Sequence, residues 1–371
     1  MRIKSIRLAV LCLMALCLSQ VFSAEQVVMG GTIESRGGIK MSFQPLLAGG
    51  FWQMGDWVLQ NWTDKGLENE VKAMKEVGMS YIIVQYGADW DGTKKEFISF
   101  YSNSVYKVHP SFTQKGRDPI GAMMKAGEKY GVKIILGDAL VPNQWDGPPN
   151  RNLADWSSPK MMQWRQSVIK NYSKYSSFYG WYIPNEPNPQ DFIKNKIDPQ
   201  SFINATEEVA ITVKKANPKL MVIHTVGLYA EPEVKSGKTF IGPPSIPYLN
   251  KFWEPWVKDC QHVDIWMIID GVGTYLSNLE HTDKAQQWCR KLAIKYQKTY
   301  WTDVENAVMG AQSYPFTMDQ LEKSLIVGAK HTDTLVTFDY IHYMSKTSPK
   351  PEARKLYQDY WKYYQKVTKR K

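Results

Sequence analysis

The chain has 371 residues, of which 43% are hydrophobic and 13% aromatic, and its formal net charge is +10. This composition supports a large apolar core and excludes an intrinsically disordered chain. The basic residues form no dense stripe, so we expect no nucleic-acid partner. The sequence has no phosphate-binding glycine loop, no dinucleotide fingerprint and no Cys/His cluster with zinc spacing, and we therefore expect neither a metal nor an organic cofactor.

The first residues have the features of a secretory signal peptide. Arg2, Lys4 and Arg7 precede an apolar run over residues 8–18, and the small residues Ser23 and Ala24 follow it. Because the apolar run is too short to span a membrane, cleavage is a better interpretation than anchoring. We predict a signal peptide at 1–24, no membrane span in the mature chain, and export to the periplasm or the cell exterior.

Removal of the signal would change both the charge and the cysteine count. The net charge falls from +10 to +7 with the loss of three basic residues, and a mildly basic exported protein would favour acidic polymers. Of the four cysteines, Cys260 and Cys289 remain. They either pair in an oxidising compartment or stay as buried thiols, and the sequence leaves both possibilities open.

Strand-like and helix-like segments alternate along the chain after a polar lead-in at 25–44. We predict strands at 46–51, 80–86, 132–138, 179–183, 220–225, 263–269, 299–305 and 334–339. We predict helices at 67–77, 119–130, 159–175, 199–216, 246–258, 281–296, 318–330 and 349–366. Eight strands, each followed by a helix, indicate a single (β/α)8 TIM barrel of the α/β class over 45–371. The alternative, an open doubly wound sheet, usually has a glycine-rich first turn, which is absent here.

Glu186 lies at the end of the fourth predicted strand. The two prolines around it, Pro184 and Pro187, stop strand pairing and stiffen the turn, and the amide of Asn185 is adjacent. In a barrel this position faces the C-terminal mouth, where active sites form. A carboxyl group among Trp and Tyr rings is partly desolvated, and desolvation raises its pKa towards the range of a general acid. A surface glutamate in a turn is the alternative.

A second carboxylate, Glu305, closes the seventh predicted strand. Paired carboxyl groups at strand ends suit glycoside hydrolysis, in which one protonates the leaving oxygen and the other attacks the anomeric carbon or activates water. Asp303 lies two residues earlier on the same face of the strand and is the alternative for the second role. Because it is deeper, we expect it instead to support the site. For a retaining enzyme we expect the acid, Glu186, to have a pKa raised by its neighbour and the nucleophile, Glu305, to be ionised.

Four short motifs resemble the family called domain of unknown function 4434, whose members are often labelled as glycosidase barrels. They are Gly49-Gly50-Phe51-Trp52, Gly180-Trp181-Tyr182-Ile183-Pro184, Asp270-Gly271-Val272-Gly273 and His342-Tyr343-Met344-Ser345. Asn185-Glu186-Pro187 with a glutamate closing strand seven also resembles clan A of the retaining glycoside hydrolases. That resemblance implies that Glu186 is the acid/base and Glu305 the nucleophile, and that Tyr275 lies near the nucleophile.

Other residues at predicted strand ends are candidates for substrate contacts. Polar side chains there could hydrogen-bond sugar hydroxyls, and Trp or Tyr rings could stack on sugar faces, although ordinary packing is an alternative for each. The polar candidates are Gln85, Asp138, Asn185, His224, Asp270, Asp339 and His342, and the aromatic candidates are Trp52, Trp90, Trp145, Tyr229 and Tyr275.

These features predict an exported glycoside hydrolase that cleaves an oligo- or polysaccharide with retention. Two other functions fit the same residues. One is a non-catalytic carbohydrate-binding barrel, and the other is a transglycosylase that excludes water from the intermediate.

Overall fold

The computed structural model describes thirteen segments of the chain. They are residues 33–34, 40–41, 44–54, 62–91, 94–113, 117–140, 153–186, 198–227, 232–235, 238–241, 246–275, 277–310 and 313–369. The described residues belong to two units. The first, Met1–Ser42, contains an antiparallel pair formed by Ile33–Glu34 and Lys40–Met41. The second, Phe43–Lys371, contains everything discussed below.

Eight parallel strands close into a barrel, as the sequence predicts. Each strand pairs with the next along the chain, and the last pairs with the first. The strands are β1 (Leu47–Trp52), β2 (Tyr81–Val84), β3 (Lys133–Gly137), β4 (Phe178–Ile183), β5 (Met221–Gly227), β6 (Ile265–Ile269), β7 (Thr299–Glu305) and β8 (Thr334–Phe338). The prediction of a single (β/α)8 TIM barrel is therefore confirmed.

A long helix follows each strand. The helices are α1 (Asp64–Glu76), α2 (Pro119–Tyr130), α3 (Pro159–Tyr172), α4 (Pro199–Ala216), α5 (Ile246–Asp259), α6 (Leu279–Lys295), α7 (Met318–Ala329) and α8 (Pro351–Thr368). In α1, α2, α3, α4, α6 and α7 an N-cap side chain accepts a hydrogen bond from a backbone N–H of the first turn, which is a signal that the sequence carries. In α2, for example, Asp118 accepts a hydrogen bond from the Gly121 N–H, and Gly131 ends the helix at a φ of 67°.

The barrel interior is filled by apolar side chains from all eight strands. They are Phe51, Ile83, Ile135, Tyr182, Ile223, Ile265, Met267, Trp301 and Val336. A second and larger apolar layer lies between the strands and the helices. Packing on both faces explains why strands such as Tyr81–Val84 are continuously apolar in sequence.

Short strand pairs and short helices lie in the connections that follow the barrel strands. Ala88–Asp91 pairs with Glu96–Ser99 after β2, Pro232–Lys235 with Lys238–Ile241 after β5, and Ala307–Val308 with Tyr314–Pro315 after β7. Short helices span Pro110–Thr113, Leu153–Trp156 and Tyr340–Tyr343. Because these connections leave the carboxyl ends of the strands, they build the face of the barrel where sites form.

Cys260 and Cys289 are both buried and both free. Burial raises the pKa of each thiol, so neither is a reactive thiolate at neutral pH. Of the two possibilities left open by the sequence, the structure has buried thiols. None of the described helices has the length and apolar character needed to cross a membrane.

Candidate active site

Glu186 lies just beyond the end of β4, on a turn formed with the buried residues Pro184 and Asn185. The Tyr182 hydroxyl donates a hydrogen bond to Glu186 Oε1 over 3.2 Å. Burial raises the pKa of Glu186 to about 8, the Tyr182 hydrogen bond opposes that rise, and the charge of Glu305 adds to it. A carboxyl group with this pKa keeps its proton at neutral pH, as a general acid must.

His224, on β5, supports this turn from behind. The Trp256 indole donates to His224 Nδ1 over 3.2 Å, and His224 Nε2 lies 3.0 Å from the Asn185 carbonyl oxygen. Because indole N–H is only a donor, Nδ1 accepts and Nε2 carries the proton that is donated to Asn185. Burial lowers the pKa of His224 to about 4, so the ring is neutral. His224 therefore positions the strand-four turn, and both of its nitrogens are engaged by protein atoms.

Glu305, the last residue of β7, is held on one oxygen by the turn that follows β6. Its Oε2 accepts hydrogen bonds from the Gly273 N–H at 2.6 Å, the Thr274 N–H at 3.0 Å and the Thr274 hydroxyl at 3.4 Å. A Cβ on Gly273 would lie 2.0 Å from the Ala307 carbonyl oxygen, so this close approach requires glycine. Burial raises the pKa of Glu305 to about 7, and the three donors limit that rise.

These two pKa values differ in part from the sequence expectation. Burial, rather than the neighbouring charge, is the main cause of the raised pKa of Glu186. Burial also raises the pKa of Glu305, which we had expected to be fully ionised. Glu305, whose ionised form is stabilised by three hydrogen-bond donors, has the lower pKa of the two.

Asp270 connects the strand-six turn to strand seven. Its Oδ1 accepts hydrogen bonds from the Val272 N–H at 3.1 Å and the Glu305 N–H at 3.3 Å. Its Oδ2 is buried and has no hydrogen-bond partner among the described residues. Asp270 thus fixes the position of Glu305 through the backbone, and burial together with the charge of Glu305 raises its pKa.

Glu186 and Glu305 line one cavity of about 440 Å³, the central cavity. The other lining residues are Gln53, Gln85, Tyr86, Asp89, Leu140, Ile269, Thr274, Asp303, Met309 and Phe338. The Gln53 amide donates to the Gln85 side-chain oxygen over 2.6 Å. Among the described lining residues there are four carboxyl groups and no Lys or Arg. Within the part of the lining that the structure describes, acidic groups are therefore concentrated and no Lys or Arg neutralises them.

Asp303 lies two residues before Glu305 on β7 and is buried. Its Oδ1 has no hydrogen-bond partner among the described residues. Burial raises its pKa, and the carboxyl groups of Glu186, Asp270, Glu305 and Asp339 raise it further. We expected Asp303 to support the site, and the structure places it in the wall of the central cavity.

Two residues predicted to contact substrate lie instead in the barrel wall. Trp52 is fully buried, packs edge-on against Trp62 and donates its indole N–H to the Met74 sulfur over 3.2 Å. Asp138 is fully buried and accepts hydrogen bonds from Arg165 Nε at 2.7 Å and the Trp181 indole at 2.8 Å. Neither lines the central cavity, because neighbouring protein groups occupy the surfaces that a sugar would need.

The remaining candidates lie around the mouth of the barrel or outside the described residues. His342 Nδ1 is 2.5 Å from Asp339 Oδ2, and neither residue lines the central cavity. Tyr275 is 53% exposed, and burial and a hydrogen bond with Tyr314 raise its pKa. Trp90 borders a neighbouring depression. Trp145 and Tyr229 lie outside the described residues.

The sequence analysis missed several lining residues, among them Gln53, Tyr86, Asp89 and Thr274. Gln53 follows Trp52 directly at the end of β1, and adjacent residues of an extended segment point to opposite faces. Selecting the residue on the other face would have found Gln53. The described residues contain no group of three His, Cys, Asp or Glu side chains arranged to hold a metal ion.

The family model for "Domain of unknown function (DUF4434)" matches residues 47–353, which include all eight strands. The chain belongs to this family. No curated protein matches the chain.

Solved structures share the barrel at low sequence identity. A protein of Bacteroides thetaiotaomicron VPI-5482, provisionally named an alpha-L-fucosidase, is 20% identical with a TM-score of 0.67, over 93% of this chain and 98% of that one. The endo-1,4-beta-D-mannanase of Thermotoga petrophila RKU-1 is 12% identical with a TM-score of 0.56, over 86% and 99%. A beta-galactosidase of Halorubrum lacusprofundi is 10% identical with a TM-score of 0.53, over 87% and 58%. Because these identities are low, the similarity shows only that this DUF4434 member shares the TIM-barrel fold with those proteins.

Proposed function

We propose that this protein is a glycoside hydrolase that cleaves a glycosidic bond of an oligo- or polysaccharide with retention. The observation that carries the proposal is the unequal environment of two carboxyl groups in one cavity. Glu305 receives three hydrogen bonds on one oxygen, whereas Glu186 receives one and has the higher pKa. Two carboxyl groups whose pKa values are separated in this way can divide the roles of nucleophile and acid.

In this mechanism the Glu305 carboxylate attacks the anomeric carbon while the bond from that carbon to the glycosidic oxygen breaks, and Glu186 donates its proton to the departing oxygen. The three hydrogen bonds to Glu305 described above all reach Oε2, which leaves Oε1 to form an ester with the anomeric carbon. Water, deprotonated by Glu186, then hydrolyses the ester and releases the sugar with its original configuration. This requires carboxyl groups about 5–5.5 Å apart, compared with about 6.5–9.5 Å for inversion.

The carboxyl groups that line the central cavity favour an uncharged sugar, because the proposed mechanism requires Glu305 to be ionised. Asp89, Glu186, Asp303 and Glu305 line it, and the described lining has no Lys or Arg to bind a carboxylate or sulfate. A buried anion without a cation is strongly disfavoured, so a uronic acid would bind poorly. This local argument outweighs the expectation from the net charge, because exposed basic residues are screened over about 10 Å and the cavity carboxyl groups contact the ligand directly.

The comparisons support the proposal through fold alone, since a mannanase and a beta-galactosidase share this barrel. A non-catalytic carbohydrate-binding barrel would need only the cavity and not the separated pKa values. A transglycosylase would use the same two glutamates and pass the sugar to an acceptor. We also propose export, on the basis of the signal-like residues 1–24.

The test is hydrolysis of a panel of polysaccharides and aryl glycosides by the wild-type protein, Glu186→Gln and Glu305→Gln. Loss of a general acid costs roughly 10²–10⁴-fold, so Glu186→Gln should lose that much on substrates with poor leaving groups. It should lose far less on activated aryl glycosides, whose leaving groups need little protonation. Glu305→Gln should lose activity on both kinds of substrate.

Glu280→Gln is the matched control, because the Glu280 side chain is 73% exposed on α6. It should retain full activity. Binding of saccharides without turnover by the wild-type protein would favour the non-catalytic barrel. Formation of longer products when a sugar acceptor is added would favour the transglycosylase.

A further inference from the structure

A second depression, of about 280 Å³, adjoins the central cavity. We call it the side depression, and its described lining residues are Met54, Tyr86, Asp89, Trp90, Asp91, Ile98, Phe100, His109 and Phe112. Tyr86 and Asp89 line both spaces. The two spaces therefore adjoin at these two residues, and a single extended ligand could contact both.

Aromatic rings form much of the side depression and hold one another in place. Phe100 stacks on Phe112 with ring centroids 5.1 Å apart, and the Tyr86 ring lies 5.6 Å from Phe100. Trp90 packs edge-on against Phe97 at 5.2 Å and remains partly exposed. Rings fixed by such contacts offer preorganised apolar surfaces, and ordering them on ligand binding costs little entropy.

Carboxyl groups stand beside these rings. Asp89 is exposed, and one of its oxygens accepts the Trp90 N–H over 2.7 Å. Asp91 forms an ion pair with Lys94 over 2.5 Å. The described lining of the side depression contains no Lys or Arg. Apolar ring faces beside hydrogen-bond acceptors match the two surfaces of a sugar, namely its C–H face and its hydroxyl edge.

We propose that the side depression binds a further, uncharged sugar unit of the same saccharide whose glycosidic bond lies in the central cavity. The proposal rests on the proposed function and extends it, because it makes an oligosaccharide rather than a simple glycoside the preferred substrate. Continuity through Tyr86 and Asp89 selects this occupant over an unrelated ligand, since a chain in the central cavity would leave it past these two residues.

Trp90 is the residue to change, because it lines the side depression and not the central cavity. The assay is kcat/KM for an aryl monosaccharide that the protein cleaves and for oligosaccharides of two to six units built from the same sugar. In the wild-type protein kcat/KM should rise with chain length. Trp90→Ala should lower kcat/KM on the longer substrates by roughly 10- to 100-fold, the effect of losing one aromatic contact surface.

The aryl monosaccharide should be cleaved by Trp90→Ala within about twofold of the wild-type rate. This result, with an unchanged melting temperature, would exclude misfolding of the strand pair Ala88–Asp91 and Glu96–Ser99, which contains Trp90. Trp361→Ala is the matched control, because Trp361 lies on α8 and is 41% exposed. Trp90→Phe should restore most of the length dependence, because it returns a ring to the same place.

Three outcomes would overturn the inference alone. The first is a wild-type kcat/KM that does not depend on chain length. The second is an equal loss of kcat/KM by Trp90→Ala on short and long substrates. The third is a loss of kcat/KM by Trp90→Ala on the aryl monosaccharide alone. The last would indicate a site for an apolar leaving group. A protein that neither cleaves nor binds any saccharide of a glycan array would overturn the proposed function as well.

Discussion

Two buried aspartates, one in the barrel wall and one in the central cavity, have opposite surroundings. Asp138, just after β3, receives hydrogen bonds from the Arg165 guanidinium, the Trp181 indole and the Ala139 N–H. Asp303, on β7, faces other carboxyl groups, and its Oδ1 has no hydrogen-bond partner among the described residues. The same side chain is paired with protein donors in one place and lies among other carboxyl groups in the other.

The difference separates residues that maintain the fold from residues that are available for chemistry. A buried charge in a finished core must be paired, because an unpaired one destabilises the folded state. An active site accepts that cost when the group is needed for function, and strongly shifted carboxyl groups therefore concentrate at such sites. On this basis Asp138 belongs to the framework, and Asp303, Glu186 and Glu305 belong to the site.

The largest expected effect on stability comes from breaking the wall pair. Asp138→Asn should lower the free energy of unfolding by about 3–5 kcal/mol, because it leaves the fully buried Arg165 guanidinium without its counter-ion. Urea denaturation measures this change. The control is Asp359→Asn on α8, which removes partners of the exposed Lys355 and Lys362 and should cost about 0–1 kcal/mol. Equal effects would remove the distinction between wall and surface carboxyl groups.

A second prediction concerns the pH dependence of activity. In the proposed mechanism Glu305, with a pKa of about 7, must be ionised, and Glu186, with a pKa of about 8, must be protonated. The value of kcat/KM should therefore be highest between about pH 7 and 8 and fall about tenfold per pH unit on either side. An optimum near pH 4–5 would show that burial does not shift the two carboxyl groups.

The smallest expected effect is a gain in stability from Asp303→Asn. A buried aspartate with a raised pKa stays protonated in the folded state while the unfolded chain ionises above about pH 4. The wild-type protein therefore loses stability as pH rises from about 4 towards the folded-state pKa, and Asn, which cannot ionise, does not. The variant should be more stable than the wild-type protein at pH 8 and similar to it at pH 4. A loss of stability at both pH values would place Asp303 with Asp138.

The sequence predicted the barrel and the shared cavity of Glu186 and Glu305, because strand periodicity and strand ends are local signals. It did not separate Asp138 from the cavity residues, because its partner Arg165 lies 27 residues further along the chain. It did not locate His224 behind the Asn185 turn either, since that depends on a contact with Trp256. Long-range pairs decide which strand-end residue is framework and which is site, and no local pattern encodes them.

The sequence analysis proposed Trp52 and did not consider its neighbour Gln53. Both residues end the first strand, and a shift of one position reverses which side chain points inward. We selected the tryptophan for its chemistry, whereas the structure buries it outside the barrel and brings Gln53 to the cavity. The chemistry of a side chain is informative only once its face is known.

The most direct measurement of the central claim is trapping of the covalent intermediate. The wild-type protein is incubated with an activated 2-deoxy-2-fluoro glycoside of the sugar that it cleaves, and the mass of the intact chain and of its peptides is recorded. We predict a gain of one fluoro-sugar, attached to Glu305, and no such gain in Glu305→Gln. A label on Asp303 or another residue, or turnover through the inverted anomer with no label, would contradict the assignment of Glu305 as nucleophile.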